Sequence, residues 1–242
     1  MHVSVLEWFV IALAVVGAST VQGVVGFGAN LLAVPLVALI VPAALPGAMV
    51  IPGIPMAVAM ATTERDHIDW RGSRFLLLGR LPGTAVGVAV VAAVSTDTLA
   101  IVIGAVVIAA VVLSAAASHL HPGVTPVSAS VTGVATGITG TAAAIDGPPL
   151  ALLYQNDPAP VFRSTLATQF AIGTVFTITG LLIGGQLHAW QVLLGITLIP
   201  SYFAGLALSF VLRPRLAGRD LRWAILAIAA LAGVAAILRG LS

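Results

Sequence analysis

The chain has 242 residues, of which 60% are hydrophobic and only 7% are charged. Ordinary soluble domains carry about 25% charged residues, so a water-soluble fold of this size could not bury so much apolar surface. The net charge of +2 comes from a few loop arginines and does not suggest nucleic acid, and the absence of cysteine excludes disulfides and thiol chemistry.

Eight apolar segments follow one another along the chain and predict an all-α polytopic membrane protein. The first segment begins without a basic stretch before it, so we expect it to belong to the mature fold and not to a cleaved signal peptide. The first and fifth segments are interrupted by glycine and proline, whereas the fourth, "TLAIVIGAVVIAAVVLSAAA", is a continuous span. In chain order the segments are 4–41, 43–63, 75–94, 98–117, 125–156, 164–187, 190–212 and 223–239.

The two interrupted segments resemble each other, which indicates an internal duplication. At an offset of 114 residues, "QGVVGFGANLLAVPL" (22–36) aligns with "TGITGTAAAIDGPPL" (136–150), and two glycines and a proline coincide. Further along, the P-x4-G pattern of "PGTAVG" returns in "PSYFAG", so Pro82 aligns with Pro200. The sequence therefore predicts a single membrane domain with four hydrophobic segments in each half: an N-terminal repeat (1–118), a linker (119–124) and a C-terminal repeat (125–242).

Arginine placement predicts how the two repeats are oriented. The loop 64–74 holds three arginines and the loop 213–222 holds four, whereas their repeat counterparts, 186–190 and 95–98, hold none. Short arginine-rich loops normally remain cytoplasmic, so both loops are expected inside and the repeats are expected to be inverted. This arrangement puts nine arginines inside and only Arg239 outside, whereas parallel repeats divide the ten evenly.

An inverted arrangement requires an odd number of crossings in each repeat, so one of the four segments must not cross. We expect each repeat to start with a broken, re-entrant helix, because irregular backbone is tolerated at membrane depth only inside protein or beside a polar cavity. A half-helix that starts there directs N–H groups and its positive dipole end at the cavity, which suits an anion. The predicted starts are Gly28–Asn30 and Asp146–Pro149, and paired starts of this kind are typical of secondary transporters.

At these positions the sequence resembles the TauE/SafE sulfite exporter family, also called the toluene sulfonate uptake permease family. "VQGVVGFGANLLAVPLVALI" is similar to the first signature of that family, and "GVATGITGTAAAIDGPPLALLY" is similar to the second. "RSTLATQFAIGT" and the P-x4-G pattern are similar as well, so the resemblance covers nearly the whole chain. It implies transport of small sulfur oxyanions or organosulfonates across a bacterial inner membrane. Asn30 and Asp146 depart from the family pattern, in which small or apolar residues are expected.

The candidate substrate-binding residues lie in and just after the two interrupted segments. Gln22 and Asn30 are uncharged polar residues that suit either hydrogen bonds between helices or contact with a ligand. Thr165, Thr168 and Gln169 share one helical face whose repeat counterparts are apolar, which leaves substrate contact and simple packing both open. The full set is Gln22, Gly26, Phe27, Gly28, Asn30, Thr139, Gly140, Thr141, Gly147, Thr165, Thr168 and Gln169.

Three ionisable residues are candidates for roles that depend on charge. Asp146 would be costly at mid-membrane and is a candidate proton-coupling group, but the prolines that follow it also make it a candidate helix cap. Arg163 could clamp an anion bidentately, although its position at the start of a helix favours extension to the cytoplasmic surface. The same interpretation applies to Arg80, which is counted among the cytoplasmic arginines.

These features predict a secondary transporter that moves sulfite, a sulfonate or a similar organic anion by alternating access, with protons as the coupling ion. A passive anion channel built on the same half-helices is the alternative, and a structural scaffold would give no reason for two glycine breaks. An enzyme is not predicted, because Asp146 is the only carboxylate expected at membrane depth and no G-x-S-G motif with a partner histidine occurs. His119 and His121 have no third ligand, so neither a metal nor another cofactor is predicted.

The expected partners follow from this function. They are a small anionic substrate, the lipid bilayer and protons, with a homodimer as a candidate assembly, and nucleic acid is not expected. The predicted location is the bacterial inner (plasma) membrane, which the chain crosses several times. The two arginine-rich loops, 64–74 and 213–222, are predicted to be cytoplasmic.

Overall fold

The computed structural model describes residues 3–25, 28–63, 67–120, 122–216 and 222–242, and their regular structure is helical throughout. The predicted all-α class is therefore confirmed. Short 3-10 turns occur at Pro42–Ala44 and Ala117–His119. Within the described residues the α-helices, in chain order, are α1 (Val5–Val25), α2 (Ala29–Ile40), α3 (Gly47–Val50), α4 (Gly53–Thr63), α5 (Trp70–Ala93), α6 (Thr96–Ala116), α7 (Pro126–Ala143), α8 (Gly147–Tyr154), α9 (Ala159–Ile183), α10 (Ala189–Leu216) and α11 (Arg222–Leu241).

Six of these helices, α1, α5, α6, α9, α10 and α11, are long and apolar enough to cross a membrane. Their outer faces carry large apolar side chains that are exposed, such as Leu6, Ile183 and Leu231. A helix satisfies its own backbone hydrogen bonds, so a surface of this kind is suited to lipid and not to water. The chain is therefore a multi-pass membrane protein, as its composition predicted.

Both interrupted segments break where the glycine and proline pattern predicted. Between α1 and α2, Gly28 adopts a positive φ of 107°, a conformation open to glycine because it has no Cβ. Between α7 and α8, Ala144 adopts a φ of 53°. After these breaks α2 starts at Ala29 and α8 starts at Gly147, inside both of the windows expected from the sequence.

The hairpin formed by α1 and α2 packs against α10, a long helix from the other half of the chain. Trp8, near the start of α1, donates its indole N–H to Thr197 Oγ1 of α10 at 2.9 Å. Gly23, near the end of α1, lies against Ser209 of α10, and the missing side chain lets the two helices approach closely. The contacts advance together along both helices, so α1 and α10 run parallel.

The hairpin formed by α7 and α8 packs in the same way against α5. Gly79 of α5 lies against Ser130 near the start of α7, and Gly87 lies against Thr141 near its end. These helices therefore also run parallel. Each hairpin packs on a long helix that the other half of the chain provides.

α9 runs parallel to α5 along its whole length. Near the start of both helices, the backbone N–H of Asp69 donates to Thr165 Oγ1 at 3.0 Å. At the other end, Gly184 lies against Val88 of α5. A short connection, 184–188, then leads directly into α10.

Hydrogen bonds join the C-terminal end of each half-helix to the start of a long helix. Tyr154, the last residue of α8, donates its hydroxyl to Asp69 Oδ2 at the start of α5, at 3.0 Å. Gln191, near the start of α10, donates to the carbonyl oxygen of Ala43, just beyond α2, at 2.8 Å. Both ends of the α1–α2 hairpin therefore lie where α10 begins, and both ends of the α7–α8 hairpin lie where α5 begins.

α6 and α11 pack on each other, and their C-terminal ends lie beside different half-helices. At the end of α11, Arg239 donates to the carbonyl oxygens of Ala38 and Leu39 in the last turn of α2. At the end of α6, the carbonyl oxygen of Ala117 accepts from Gln155, just beyond α8, at 2.9 Å. α11 thus ends on the side where α2 ends, and α6 ends on the side where α8 ends.

Candidate functional site

A cavity of about 50 Å³ lies between the two backbone breaks. Its wall comes from the end of α1 and from α2, α4, α8, α9 and α10. It combines apolar groups with a few polar ones, which is the usual character of a small-molecule site. The lining residues are Gln22, Gly28, Asn30, Leu31, Gly53, Ala57, Ile145, Asp146, Gly147, Pro148, Phe170, Thr174 and Tyr202.

Asn30 joins the two breaks beside the cavity. Its side-chain amide donates to the carbonyl oxygen of Ala144 at 2.8 Å, and Tyr202 of α10 donates its hydroxyl to Asn30 Oδ1 at 2.6 Å. Asn30 and Ala144 are 114 residues apart, which is also the offset of the duplication. Asn30 therefore forms hydrogen bonds between helices and lines the cavity as well.

Gln22 bonds the start of α2. Its Oε1 accepts the backbone N–H of Ala29 at 3.0 Å. Because Ala29 is the first residue of α2, one of the N–H groups that a helix start leaves without a partner is already bonded here. Gln22 also lines the cavity, so both interpretations of this residue apply.

The start of α8 offers few backbone donors. Pro148 and Pro149 occupy the second and third positions of the helix and carry no N–H. Asp146 is at the N-cap position, but its side chain makes no capping hydrogen bond. A capping carboxylate accepts from the second or third residue of the helix, and both are proline here. The helix-cap interpretation of Asp146 is therefore wrong.

Asp146 pairs instead with Arg80 from the middle of α5. Arg80 Nη2 donates to Asp146 Oδ2 at 2.8 Å. The Arg80 side chain is 2% exposed, whereas the Asp146 side chain is 19% exposed and lines the cavity. The expectation that Arg80 extends to the cytoplasmic surface is wrong, because its side chain is buried and the half-buried carboxylate of Asp146, from the second half of the chain, binds it inside the protein.

Two glycines provide the space that the buried guanidinium needs. A Cβ on Gly173 of α9 would overlap the guanidinium carbon of Arg80. A Cβ on Gly140 of α7 would lie 3.0 Å from Arg80 Nη2 and 3.2 Å from Asp146 Cβ. Gly140 therefore lies beside the ion pair, and its contact with substrate stays a prediction.

The guanidinium of Arg80 is only partly bonded within the described part of the chain. Nη2 binds Asp146, but Nε and Nη1 are buried there and have no hydrogen-bond partner. Buried donors without partners cost free energy, about 1–3 kcal/mol for a neutral group and more for a charged one. Arg80 thus still has capacity to donate hydrogen bonds.

The predicted stripe of Thr165, Thr168 and Gln169 lies away from the cavity lining. Thr165 accepts from Asp69, and Gln169 donates to the carbonyl oxygen of Ser73 at 3.4 Å, so this stripe packs against α5. Thr168 bonds its own helix at Ser164. These contacts match the packing interpretation of the stripe.

Other candidates are placed as follows. Thr139 bonds the carbonyl oxygen of Ala135, and Thr141 bonds Thr177 at 3.2 Å. Arg163 is half-buried near the start of α9, and His119 is exposed. Gly26, Phe27 and His121, and the loop residues 64–66 and 217–221, lie outside the described residues.

Sequence reasoning missed the partnership of Arg80 with Asp146 and the contributions of Phe170, Thr174 and Tyr202 to the wall. A signal for the pair was available, since ionisable residues within membrane segments normally pair with one another. Tyr202 lies within the P-x4-G pattern of "PSYFAG", but a tyrosine in an apolar helix gives no indication of the direction in which it points.

Long apolar helices around a small, partly polar cavity beside an ion pair define a multi-pass membrane protein. The family described as Sulfite exporter TauE/SafE matches residues 11–236, nearly the whole chain. The chain belongs to this family, as its two glycine–proline signatures predicted, and the family description indicates an exporter of sulfite or a similar sulfur anion. Neither the curated proteins nor the solved structures include a match to the chain.

Proposed function

We propose that the protein is a secondary transporter that moves a small sulfur-containing oxyanion, such as sulfite or a sulfonate, across the bacterial inner membrane. The observation that carries this proposal is the polar cavity between two helix breaks, with the Arg80–Asp146 pair forming part of its surroundings. Broken helices that meet at a small site inside a membrane domain are the usual construction of such carriers.

Alternating access requires two halves that can move relative to the cavity, and an inverted arrangement of the repeats supports this. α9 starts beside the start of α5, runs parallel to it and then turns directly into α10. α10 therefore starts on the opposite side of the molecule from α5. Since α5 and α10 are repeat counterparts, their opposite directions favour inversion.

The hairpin contacts support the same arrangement. The α1–α2 hairpin has both ends where α10 begins, and the α7–α8 hairpin has both ends where α5 begins. Each is then a re-entrant segment, one from each face of the membrane, and the remaining segments make three crossings per repeat. With the loops 64–74 and 213–222 inside, α5 starts at the cytoplasmic face.

Asp146 is proposed as the proton-coupling group. It lines the cavity and holds Arg80 through a charged hydrogen bond. A proton on Asp146 would weaken this bond and remove the negative charge that repels an anion in the cavity. Proton uptake and anion binding would thus favour each other, which is the requirement for coupled movement.

The test of this function is uptake of labelled sulfite into liposomes that contain the purified protein. A proton-coupled carrier gives saturable flux that rises with an imposed pH gradient and is reduced by Asp146→Asn. Flux that is linear in concentration and indifferent to the gradient would instead identify a passive channel. Absence of flux for sulfite and for short sulfonates would contradict the proposal.

A further inference from the structure

We propose that Arg80 is the cation that binds the transported anion, and that Asp146 occupies its place on Arg80 while no anion is bound. The inference rests on the proposed function and goes further by assigning the binding charge and the charge class of the substrate. From the sequence, Arg163 was the residue named as the candidate anion clamp, and Arg80 was given the same interpretation as Arg163.

The two helix starts do not offer a full set of backbone donors. At the start of α8, Pro148 and Pro149 have no N–H. At the start of α2, the N–H of Ala29 is already bonded to Gln22, which leaves three of the four N–H groups of that helix start. A cationic side chain would therefore add to the binding of an oxyanion that these unequal helix starts provide.

Arg80 is placed to be that partner. Its Nε and Nη1 atoms are buried without a partner in the described part of the chain, and only Nη2 is bonded, to Asp146. A guanidinium presents five N–H donors in a planar fork that fits oxyanions with several oxygens. Asp146 lines the cavity while Arg80 lies behind it, so the carboxylate is the group that an entering anion meets first.

The repeat counterparts show that the fold does not require this ion pair. At the offset that aligns Pro82 with Pro200, Arg80 corresponds to Leu198, and at the offset of 114 residues Asp146 corresponds to Leu32. Both leucines are buried in one hydrophobic cluster. The same position in the other half is thus filled by apolar packing, and the charged pair serves a purpose that only one half needs.

Charge balance then defines the substrate class. Arg80 and ionised Asp146 are neutral together, so a singly charged anion added to them leaves one uncompensated negative charge in a low-dielectric site. Transfer of one proton from a solvent hydronium ion to a carboxylate oxygen of Asp146 restores neutrality: one O–H bond of the hydronium breaks, one O–H bond forms on Asp146, and water is released. The site therefore favours one proton with one singly charged oxyanion, such as hydrogen sulfite or an alkyl sulfonate, over a dianion such as sulfate.

Among the described residues that line the cavity, Asp146 and Tyr202 are the titratable ones, and Arg80 faces Asp146 from α5. α7 carries no ionisable side chain, and Asp97 and Arg163 lie at the starts of α6 and α9, far along those helices from the cavity. A pH dependence of anion binding that Asp146→Asn abolishes would therefore report Asp146 itself.

The experiment is calorimetric titration of the detergent-purified protein with methanesulfonate, whose own charge is constant across the working pH range. In the wild type we expect affinity to weaken as the pH rises, toward about tenfold per pH unit, the limit for one linked proton. Asp146→Asn should bind with no such slope. The double variant Arg80→Gln/Asp146→Asn should bind at least about tenfold more weakly than Asp146→Asn, or about 1.4 kcal/mol.

The double variant Arg80→Gln/Asp146→Asn leaves no unpaired carboxylate inside the protein. If this variant does not fold, Arg80→Leu/Asp146→Leu, which carries the residues of the other repeat, is used in its place. Arg239→Gln is the matched control, since Arg239 contacts the C-terminal end of α2. This variant should bind methanesulfonate as the wild type does. Either double variant with the affinity of Asp146→Asn would overturn the role of Arg80. Sulfate binding more tightly than methanesulfonate would overturn the charge assignment.

Failure of the inference and failure of the proposed function are distinguishable. If the wild type binds an oxyanion and transports it while the double variants bind equally well, the transporter stands and Arg80 does not carry the site. If the wild type neither binds nor transports any of these oxyanions, the proposed function itself is wrong.

Discussion

At the scale of single residues, the burial of one arginine depends on glycines that leave space for it. Gly173 and Gly140 flank the guanidinium of Arg80 from α9 and α7, and Asp146 supplies its counter-charge. A charged side chain at the centre of a membrane helix costs about 2.5–3.5 kcal/mol on insertion scales. Pairing and close packing offset this cost, and packing leaves little tolerance for an added methyl group.

Gly173→Ala tests this tolerance. The new Cβ would overlap the guanidinium carbon, so Arg80 must shift and its bond to Asp146 must lengthen. We expect a loss of about 1–3 kcal/mol in stability and weaker binding of methanesulfonate, measured by thermal unfolding and calorimetry in detergent. Gly17→Ala is the control, because a Cβ there meets nothing within 4 Å. Equal effects of the two substitutions would show that the space at Gly173 is not required.

Asp157, in the connection between α8 and α9, gives a prediction about pH. Partial burial, and next the charge of Asp69, raise the pKa of its carboxyl above the ordinary value. A raised pKa means that the folded state binds the proton more tightly than the unfolded state. The carboxyl therefore costs no stability below the unfolded pKa, and it destabilises the fold increasingly as the pH rises from the unfolded pKa to the folded one. Asp157→Asn should therefore stabilise the protein near neutral pH by about 0.5 kcal/mol, given solvent screening.

The measurement for Asp157→Asn is thermal unfolding across a pH series. The gain in stability over the wild type should vanish below the pKa of an unfolded aspartate, about 3.9, because the Asp157 carboxyl is then protonated in the folded and in the unfolded state. A gain that is constant with pH would assign the effect to something other than the charge.

At the scale of helices, the two half-helices are held at their outer ends by different contacts. α8 is tied to α5 through Tyr154 and Asp69, and α2 is tied to α10 through Gln191 and the carbonyl oxygen of Ala43. In a carrier that works by alternating access, the contacts on the two sides must loosen in turn. In such a carrier, the Tyr154–Asp69 bond would have to loosen for the side where α5 begins to open.

Tyr154→Phe should loosen that side while leaving the ring packed. Loss of one hydrogen bond to a carboxylate is worth about 1.5–3 kcal/mol when the bond is net favourable. We expect lower thermal stability. We also expect a cysteine introduced into the cavity wall by Thr174→Cys to react faster with a thiol reagent added on the side where α5 begins. An unchanged labelling rate in the Tyr154→Phe background would show that this bond does not limit access.

At the scale of the whole molecule, the direction of the two repeats can be tested because the sequence contains no cysteine. His67 precedes α5 and His188 precedes α10, and both are exposed in short connections. With inverted repeats, His67→Cys should react only with an impermeant thiol reagent on the cytoplasmic side, and His188→Cys only from outside. Labelling of both from the same side would rule out inversion.

The general architecture could be predicted from the sequence because hydrophobic length, glycine and proline act locally. The helix starts at Ala29 and Gly147 follow from the residues around them. The pairing of Arg80 with Asp146 could not be derived in that way, because it joins residues 66 positions apart and depends on how α5 packs against α7 and α9. The cap interpretation of Asp146 failed for a local reason, since the two prolines that suggested a helix start also remove the donors to be capped.

Each hairpin packs along a long helix that the other half of the chain supplies, α1 on α10 and α7 on α5. If the protein works by alternating access, we expect the bodies that move not to coincide with the N-terminal and C-terminal halves of the chain. A polypeptide cut in the linker should yield fragments that each lack the surface on which their own hairpin docks. Such fragments would be stable only when produced together, with the cut itself leaving the carrier intact.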